Sequence, residues 1–286
     1  MQGYVTVALD KQKYVDMAVN LARSIRYFDP GRPVCLIYNE KVSLPQGDDA
    51  VFTDKVLLPS DPDFVGCTNK IRLYDVSPYD ESMYIDADCL LAKADIDRHW
   101  RAASKSYFGM TGDKCTSGVW NDLSIEKTCR DFNIPYVVRM NSGVFYFRKC
   151  PESKAFFDRL DVLYRNHRDD LSNIHQGRAG QYADEPLFGT AMGEFRIDPV
   201  DGGPSEGSWM VTTWRARRCR MDPAAGVSYL EKPSRFFIRA PLFPHGWVKH
   251  SPTIFHFIGL KPESVYAGAS HFFKDALRAG KTCQPG

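Results

Sequence analysis

The sequence predicts an α/β sandwich with a mostly parallel central sheet, followed by an irregular, basic C-terminal extension. Three observations carry this expectation. Short β-rich runs alternate with helical patterns through the first 150 residues. The apolar run Met83-Tyr84-Ile85 stops on two carboxylates, as strands do where such a sheet meets its ligand. Beyond residue 200 the periodicity fades into segments rich in Gly, Pro and Ser.

Tyr4–Leu9 reads as the first strand. Ala18, Leu21, Ala22, Ile25 and Phe28 then recur at helical spacing, and Asp29-Pro30-Gly31 ends that helix. Val34–Tyr38 is a second strand, and a third lies within Val51–Leu58, ahead of the turn Pro59–Pro62. A short helix is expected over Asn69–Val76 and a buried strand over Ser82–Ile85. Strands follow at Tyr107–Met110 and Gly143–Phe147, the second leading into an amphipathic helix from Glu152 to about Asn166. Gln176–Gly180 reads as a polar loop before the apolar-periodic segment Asp184–Met192, and Asp201–Ser208 as another loop. Ile254–Phe257 is a last short strand, and His271–Ala279 a terminal helix stopped by Gly280. With no internal repeat, one domain over 1–286 is expected, built from a half spanning 1–150 and a half spanning 151–286.

Composition narrows the function. The 286 residues carry 37 Lys+Arg against 35 Asp+Glu and are 43% hydrophobic, which excludes both an acidic disordered tail and a histone-like polycation. The charge is split, however. Residues 201–286 carry a net charge of +6 and residues 1–200 a net charge of −4, so an anionic ligand or partner is expected on the basic side. The eight cysteines contain no C-x-x-C pair, so reduced thiols in a cytoplasmic setting are the simpler reading than a zinc cage or a disulfide scaffold. No run approaches the ~18 apolar residues of a membrane span, and Met1-Gln2-Gly3 passes straight into a strand without a leader pattern.

Chemistry concentrates at Asp86-Ala87-Asp88. In an extended segment these two side chains point the same way, so both can reach one hard divalent cation, Mg²⁺ or Mn²⁺. Such an ion bridges phosphates and takes up charge on a leaving diphosphate. Two enzyme classes use this arrangement: haloacid-dehalogenase-like phosphatases and nucleotide-sugar glycosyltransferases. The phosphatases show D-x-D-x-[TV], whereas the fifth position here is Leu90, and Gly112-Asp113 falls too soon for their distant acidic motif.

Other segments favour the second class. Met140-Asn141-Ser142-Gly143-Val144-Phe145-Tyr146-Phe147 resembles the N-[SA]-G-V strand of glycosyltransferase family 8, the group containing glycogenin and bacterial galactosyltransferases. Tyr182-Ala183-Asp184-Glu185-Pro186-Leu187-Phe188 is similar to the family's D-Q-x-x-L-N segment, and His256-Phe257-Ile258-Gly259-Leu260-Lys261-Pro262 to its H-F-x-G-x-x-K-P ending. The opening strand with Tyr14, and Lys70-Ile71-Arg72 followed by Tyr79-Asp80, also fit, and the motifs keep the family's order from about residue 4 to 262.

The resemblance implies a GT-A fold with nucleotide binding in the first half and the sugar and acceptor in the second. It implies a retaining, metal-dependent transferase moving a hexose from a nucleotide sugar, UDP-glucose or UDP-galactose, to a hydroxyl acceptor such as a glycan. Asp86, Asp88 and His256 match the metal ligands, a set that suits Mn²⁺. Asp10 and Tyr14 match the base clamp, although one extra residue precedes Tyr14, which fits a helix staple equally well. Lys70 matches a basic group near the donor, Asn141 a polar neighbour of the donor sugar, and Lys261 a phosphate-binding lysine whose spacing is one residue short. Asp184 matches a carboxylate on the sugar hydroxyls. Glu185 departs from the family's glutamine, so it is read as an oxocarbenium stabiliser, a nucleophile or a plain helix cap.

The acceptor side has no matching motif. Asp113–Val138 and Gly193–Thr253 contain Trp120, Trp209, Trp214, Trp247 and the Arg215–Arg220 cluster, which suit sugar rings, an anionic acceptor or a nucleic-acid strand, or else core packing and ordinary ion pairs. A transferase acting on modified nucleic acid, a phosphatase and a non-catalytic sugar-binding relative therefore remain as alternatives.

Overall fold

The structure is a computed structural model and describes residues 1–44, 47, 49–171, 182–200, 209–212, 219–231, 247–249 and 251–283. In chain order its first elements are β1 (Gln2–Ala8), α1 (Gln12–Phe28), β2 (Val34–Tyr38), β3 (Asp54–Leu57), α2 (Leu73–Val76), β4 (Glu81–Ile85), β5 (Cys89–Leu91), α3 (Ile96–Ala103) and β6 (Phe108–Met110). The short strands β7 (Asp113–Cys115), β8 (Val119–Trp120) and β9 (Leu123–Ser124) precede α4 (Ile125–Asp131) and β10 (Val137–Arg139). Then come β11 (Val144–Arg148), α5 (Pro151–Leu171), α6 (Glu185–Glu194), β12 (Met210–Thr212), β13 (Cys219–Asp222), β14 (Val227–Glu231), β15 (Trp247–Lys249), β16 (Ile254–His256) and α7 (Glu263–Arg278).

The central sheet has six strands in the order β3-β2-β1-β4-β11-β6. β1 pairs in parallel with β2 and β4, and β2 in parallel with β3, while β11 runs antiparallel to β4 and β6. The mostly parallel sheet expected from the alternation is thus present, with β11 as its reversed strand. Both faces of β1, β4 and β11 are buried, which explains why they read as continuous apolar runs rather than alternating ones. One face packs α1 and α7 with Trp100; the other packs α5, α6 and the Phe108–Phe145–Phe188 stack.

Strand order reverses between β1 and β4, because β2 and β3 lie on one side and β11 and β6 on the other. An open α/β sheet forms its ligand crevice at the C-terminal ends of the two strands flanking that reversal. Here those ends carry Asp10 and Asp86.

Several boundaries differ from expectation. α5 extends to Leu171, and α7 begins at Glu263 rather than His271 because Pro262 opens it and its buried face includes Tyr266 and Ala269. Lys70 lies in a 3-10 turn over Gly66–Arg72 rather than in an α-helix. The loops expected at 176–180 and 201–208 lie outside the described residues. No described helix is long and apolar enough to cross a membrane, and all eight cysteines are unbridged.

Candidate active site

The C-terminal end of β4 turns sharply. The Cys89 N–H donates to the Asp86 carbonyl at 3.0 Å, so Asp86-Ala87-Asp88 forms a turn rather than the extended segment expected. The turn is pinned on both sides, by Asp86 N–H to the Gly143 carbonyl at 2.8 Å and Phe257 N–H to the Asp88 carbonyl at 2.9 Å. β16 then pairs antiparallel with β5, setting His256 opposite Cys89. The two carboxylates are linked instead through His256, whose Nε2 lies 3.0 Å from Asp88 Oδ1 and 3.8 Å from Asp86 Oδ2.

Lys70 is the buried cation of the site and only 6% exposed, not the surface charge its composition would suggest. Its Nζ lies 3.1 Å from Asp86 Oδ1 and 3.2 Å from Asp184 Oδ2. It also donates to the Ser142 hydroxyl and carbonyl at 3.0 and 3.2 Å. Burial alone would strip its charge, but Asp184 and Asp86 outweigh that and hold its pKa well above the usual lysine range. Tyr84 donates its phenolic proton to Asp86 and places its ring 5.3 Å from the ammonium.

A second chain of bonds leads away from the carboxylate pair. His256 Nδ1 lies 2.9 Å from Asn141 Oδ1, which also accepts from the Gly143 N–H at 3.1 Å. With its oxygen so used, the Asn141 amide has its NH₂ free to donate to Glu185 Oε1 at 2.9 Å. A Cβ on Gly143 would sit 2.6 Å from His256 Nδ1 and 2.9 Å from Asn141 Oδ1, so only glycine lets this chain pass. Burial opposes a charge on His256, yet Asp88 and Asp86 raise its pKa above the ordinary value. A ring N–H held by Asn141 leaves Nε2 directed at the carboxylates, the usual way an outer partner fixes a histidine ligand.

Glu185 opens α6, where Pro186 fits the first helical turn. The helix lies hard against β10: Cβ atoms on Gly189 and Gly193 would come within 2.5 Å of the Val138 carbonyl and 2.1 Å of the Tyr136 carbonyl. This close approach carries Glu185 to Asn141. The other carboxylate oxygen, Oε2, accepts from Asn121 Nδ2 at 3.2 Å. Asn121 and Asp122 form the two-residue turn between β8 and β9, with φ of 50° and 61°, the left-handed pair of a tight hairpin that Asn and Asp tolerate. Glu185 is therefore half-buried and held by two side-chain amides, one part-buried at Asn141 and one at the surface at Asn121. Its burial, and then Asp184, push its pKa up, opposed by the Asn121 bond and Lys70.

Asp88, Cys89 and His256 offer ligand atoms within 4.8 Å of one another. Burial and the neighbouring Asp88 and Asp86 push the Cys89 thiol well up; Asp86, whose Oδ2 lies 3.8 Å from His256 Nε2, brings a second carboxylate, the donor type that hard divalent cations take. Cys89, Tyr84, Ser142 and Asn121 were not among the sequence candidates. For Tyr84 and Ser142 the signal was adjacency to recognised motifs; for Asn121 there was none.

The remaining candidates fall elsewhere. Asp10 has φ of 66°, and its Oδ1 accepts from Asn39 Nδ2 and Lys41 Nζ, each at 2.9 Å. These three residues line a cleft of about 260 Å³ with Leu58, Ser60 and Asn69. Tyr14, in the first turn of α1, is not among the residues lining that cleft and packs partly buried against the core. Lys261 stands exposed with Nζ 3.8 Å from Glu263. Trp209 is fully buried and stacks on His99 at 5.7 Å, so it is core rather than a sugar platform. Trp120 packs on Gly189. Trp214 and residues 215–218 of the arginine cluster lie outside the described residues, and for Trp247 only the backbone strand is described.

No model of a known protein family matches the chain, and no curated protein matches its sequence. Solved structures do match its shape. The galactosyltransferase LgtC, in complex with donor and acceptor sugar analogues, is 14% identical with a TM-score of 0.56, over 100% of this chain and 98% of that one. An active-site variant of LgtC carrying glutamate for glutamine is 14% identical with a TM-score of 0.54, over the same shares of the two chains. The glycosyltransferase GlyE of Streptococcus pneumoniae TIGR4 is 12% identical with a TM-score of 0.53, covering 98% of this chain and 64% of its own. The fold is therefore the GT-A fold of glycosyltransferases.

Proposed function

We propose that residues 1–286 form one metal-dependent glycosyltransferase domain that moves a hexose from a nucleotide sugar to a hydroxyl acceptor with retention of configuration. The observation that supports this best is the convergence, on a GT-A fold, of Asp86, Asp88 and His256 at the reversal of strand order. Two carboxylates and an imidazole form a donor set that fits Mn²⁺ or Mg²⁺. Bound there, the ion would neutralise charge on the donor diphosphate. The donor is a UDP-hexose, glucose or galactose, and the acceptor a glycan; both follow from the family likeness.

The chain's own residues supply the rest. Lys70, whose pKa Asp184 and Asp86 hold well above the usual lysine range, brings its positive charge to the donor diphosphate. Asp184 and Asn141 orient the sugar. The Glu185 carboxylate, accepting one N–H on each oxygen, offers negative charge to the anomeric carbon as positive charge develops there. The cleft at Asp10, Asn39 and Lys41 receives the base. Lys261 approaches the phosphates from the C-terminal segment. The setting is cytoplasmic, with unbridged cysteines.

A donor screen tests this reading. With Mn²⁺ present, UDP-hexoses are expected to raise the melting temperature and to yield UDP, while GDP-, ADP- and CMP-sugars do neither. Absence of both effects across all donors would remove the transferase reading. Release of inorganic phosphate from sugar phosphates, without nucleotide release, would instead favour the phosphatase.

A further inference from the structure

Glu185 is fastened from two directions that belong to different parts of the fold. Asn141 follows β10, within a segment already anchored by Gly143 and His256. Asn121 sits on the β8–β9 hairpin, 64 residues earlier in the chain than its partner, in a stretch with no recognisable motif. We propose that Asn121 is a positioning residue, which holds the Glu185 carboxylate in the orientation that the transferred sugar meets. This rests on the reading of Glu185 given above.

A carboxylate rotates about its last bond unless its oxygens are engaged; Asn141 and the Ser142 backbone hold Glu185 from one side, and Asn121 reaches Oε2 from the hairpin on the other. The neighbouring charges pull in opposite senses: Asp184 repels the carboxylate, and Lys70 attracts it but is already engaged by Asp86, Asp184 and Ser142. Asn121 supplies a further N–H without adding charge, which favours the ionised carboxylate against the upward push of burial and Asp184 and opposes a swing toward Lys70. The turn makes the geometry rigid. With φ of 50° and 61° at Asn121 and Asp122, the two-residue hairpin has one shape, and Val119↔Ser124 and Trp120↔Leu123 pair across it. Trp120 seats the hairpin on α6 at Gly189, the same helix that Glu185 opens.

Asn121→Gly is the informative substitution, because glycine accepts the left-handed turn and removes the amide that donates to Glu185. Asn121→Asp keeps the turn and the shape but presents a like charge. Both are expected to lower kcat about tenfold for the glycine and further for the aspartate, with donor KM and metal affinity little changed. The titration of Glu185, followed by ¹³C-carboxyl NMR and assigned with Glu185→Gln, is expected to move to higher pH in Asn121→Gly, since the lost N–H favoured the ionised form. In a Glu185→Gln background, Asn121→Gly is expected to cost nothing further. An unchanged Glu185 titration and unchanged kcat in Asn121→Gly would overturn the inference. If Glu185→Gln itself leaves kcat intact, the role given to Glu185 fails instead, and the titration still decides whether Asn121 holds it.

Discussion

Asp88→Asn is expected to lower metal-dependent nucleotide release on the order of 10³-fold while leaving the fold intact. Asp88 is the carboxylate closest to His256, at 3.0 Å, and both its oxygen and the imidazole Nε2 point into the same space. An asparagine there has the same shape and can donate an N–H to Nε2, so local packing survives. What is lost is one of the two carboxylates offered to a divalent cation, and the imidazole together with Asp86, which is shared with Lys70, does not replace its charge. Stability is therefore expected to stay within about 1 kcal/mol of the parent in urea denaturation. Nucleotide release at saturating Mn²⁺ near the parental rate would remove Asp88 from the mechanism.

Lys70→Met is expected to destabilise the protein by about 3–5 kcal/mol, the usual cost of stripping the partner from a buried charge pair. The ammonium is bracketed by Asp86 and Asp184, and Asp184 is itself almost fully buried. Methionine fills the same length but leaves two carboxylates facing each other without a cation. Lys70→Arg keeps the charge and should recover part of the loss, although its planar fork fits the single-point geometry at Nζ poorly. Chemical denaturation at neutral pH measures both. A methionine variant as stable as the parent would show that the Asp86–Lys70–Asp184 cluster is held by something other than its central charge.

Much of this site was legible because its parts announce themselves locally. Met83-Tyr84-Ile85 before Asp86 and Asp88 marks a buried strand reaching the sheet edge, and the Asn141-Ser142-Gly143 and Asp184-Glu185 segments flank it in space as their family likeness implied. What could not be read were facts created by folding. Asp86 and Asp88 sit in a turn, and they are linked through His256 because β16 brings it alongside β5. Lys70 looks like any helical surface lysine until the 3-10 turn inserts it between Asp86 and Asp184. Asn121 carries no local signal at all, since its meaning lies in a hairpin packed on a helix 64 residues away. Tyr14 fits two roles in the sequence, and its partly buried ring packs against the core. Trp209, a plausible sugar platform by composition, is spent on His99, whose burial lowers its pKa to about 4 and keeps it neutral in the core.

The charge division between the two parts of the chain gains a partial explanation. The acidic-leaning part places Asp86, Asp184 and Glu185 around the buried Lys70, with Asp88 beside His256. Of the basic tail, His256 and the strand carrying it join that cluster, whereas Lys261 lies at the surface beside Glu263.

The most direct test of the central claim is anomalous diffraction from crystals soaked with Mn²⁺ and UDP. A single manganese peak within bonding distance of Asp88 and His256, with the diphosphate on its open side, is the predicted result. A peak elsewhere, or UDP bound at the β1–β4 crevice with no metal between it and Asp88, would contradict the account.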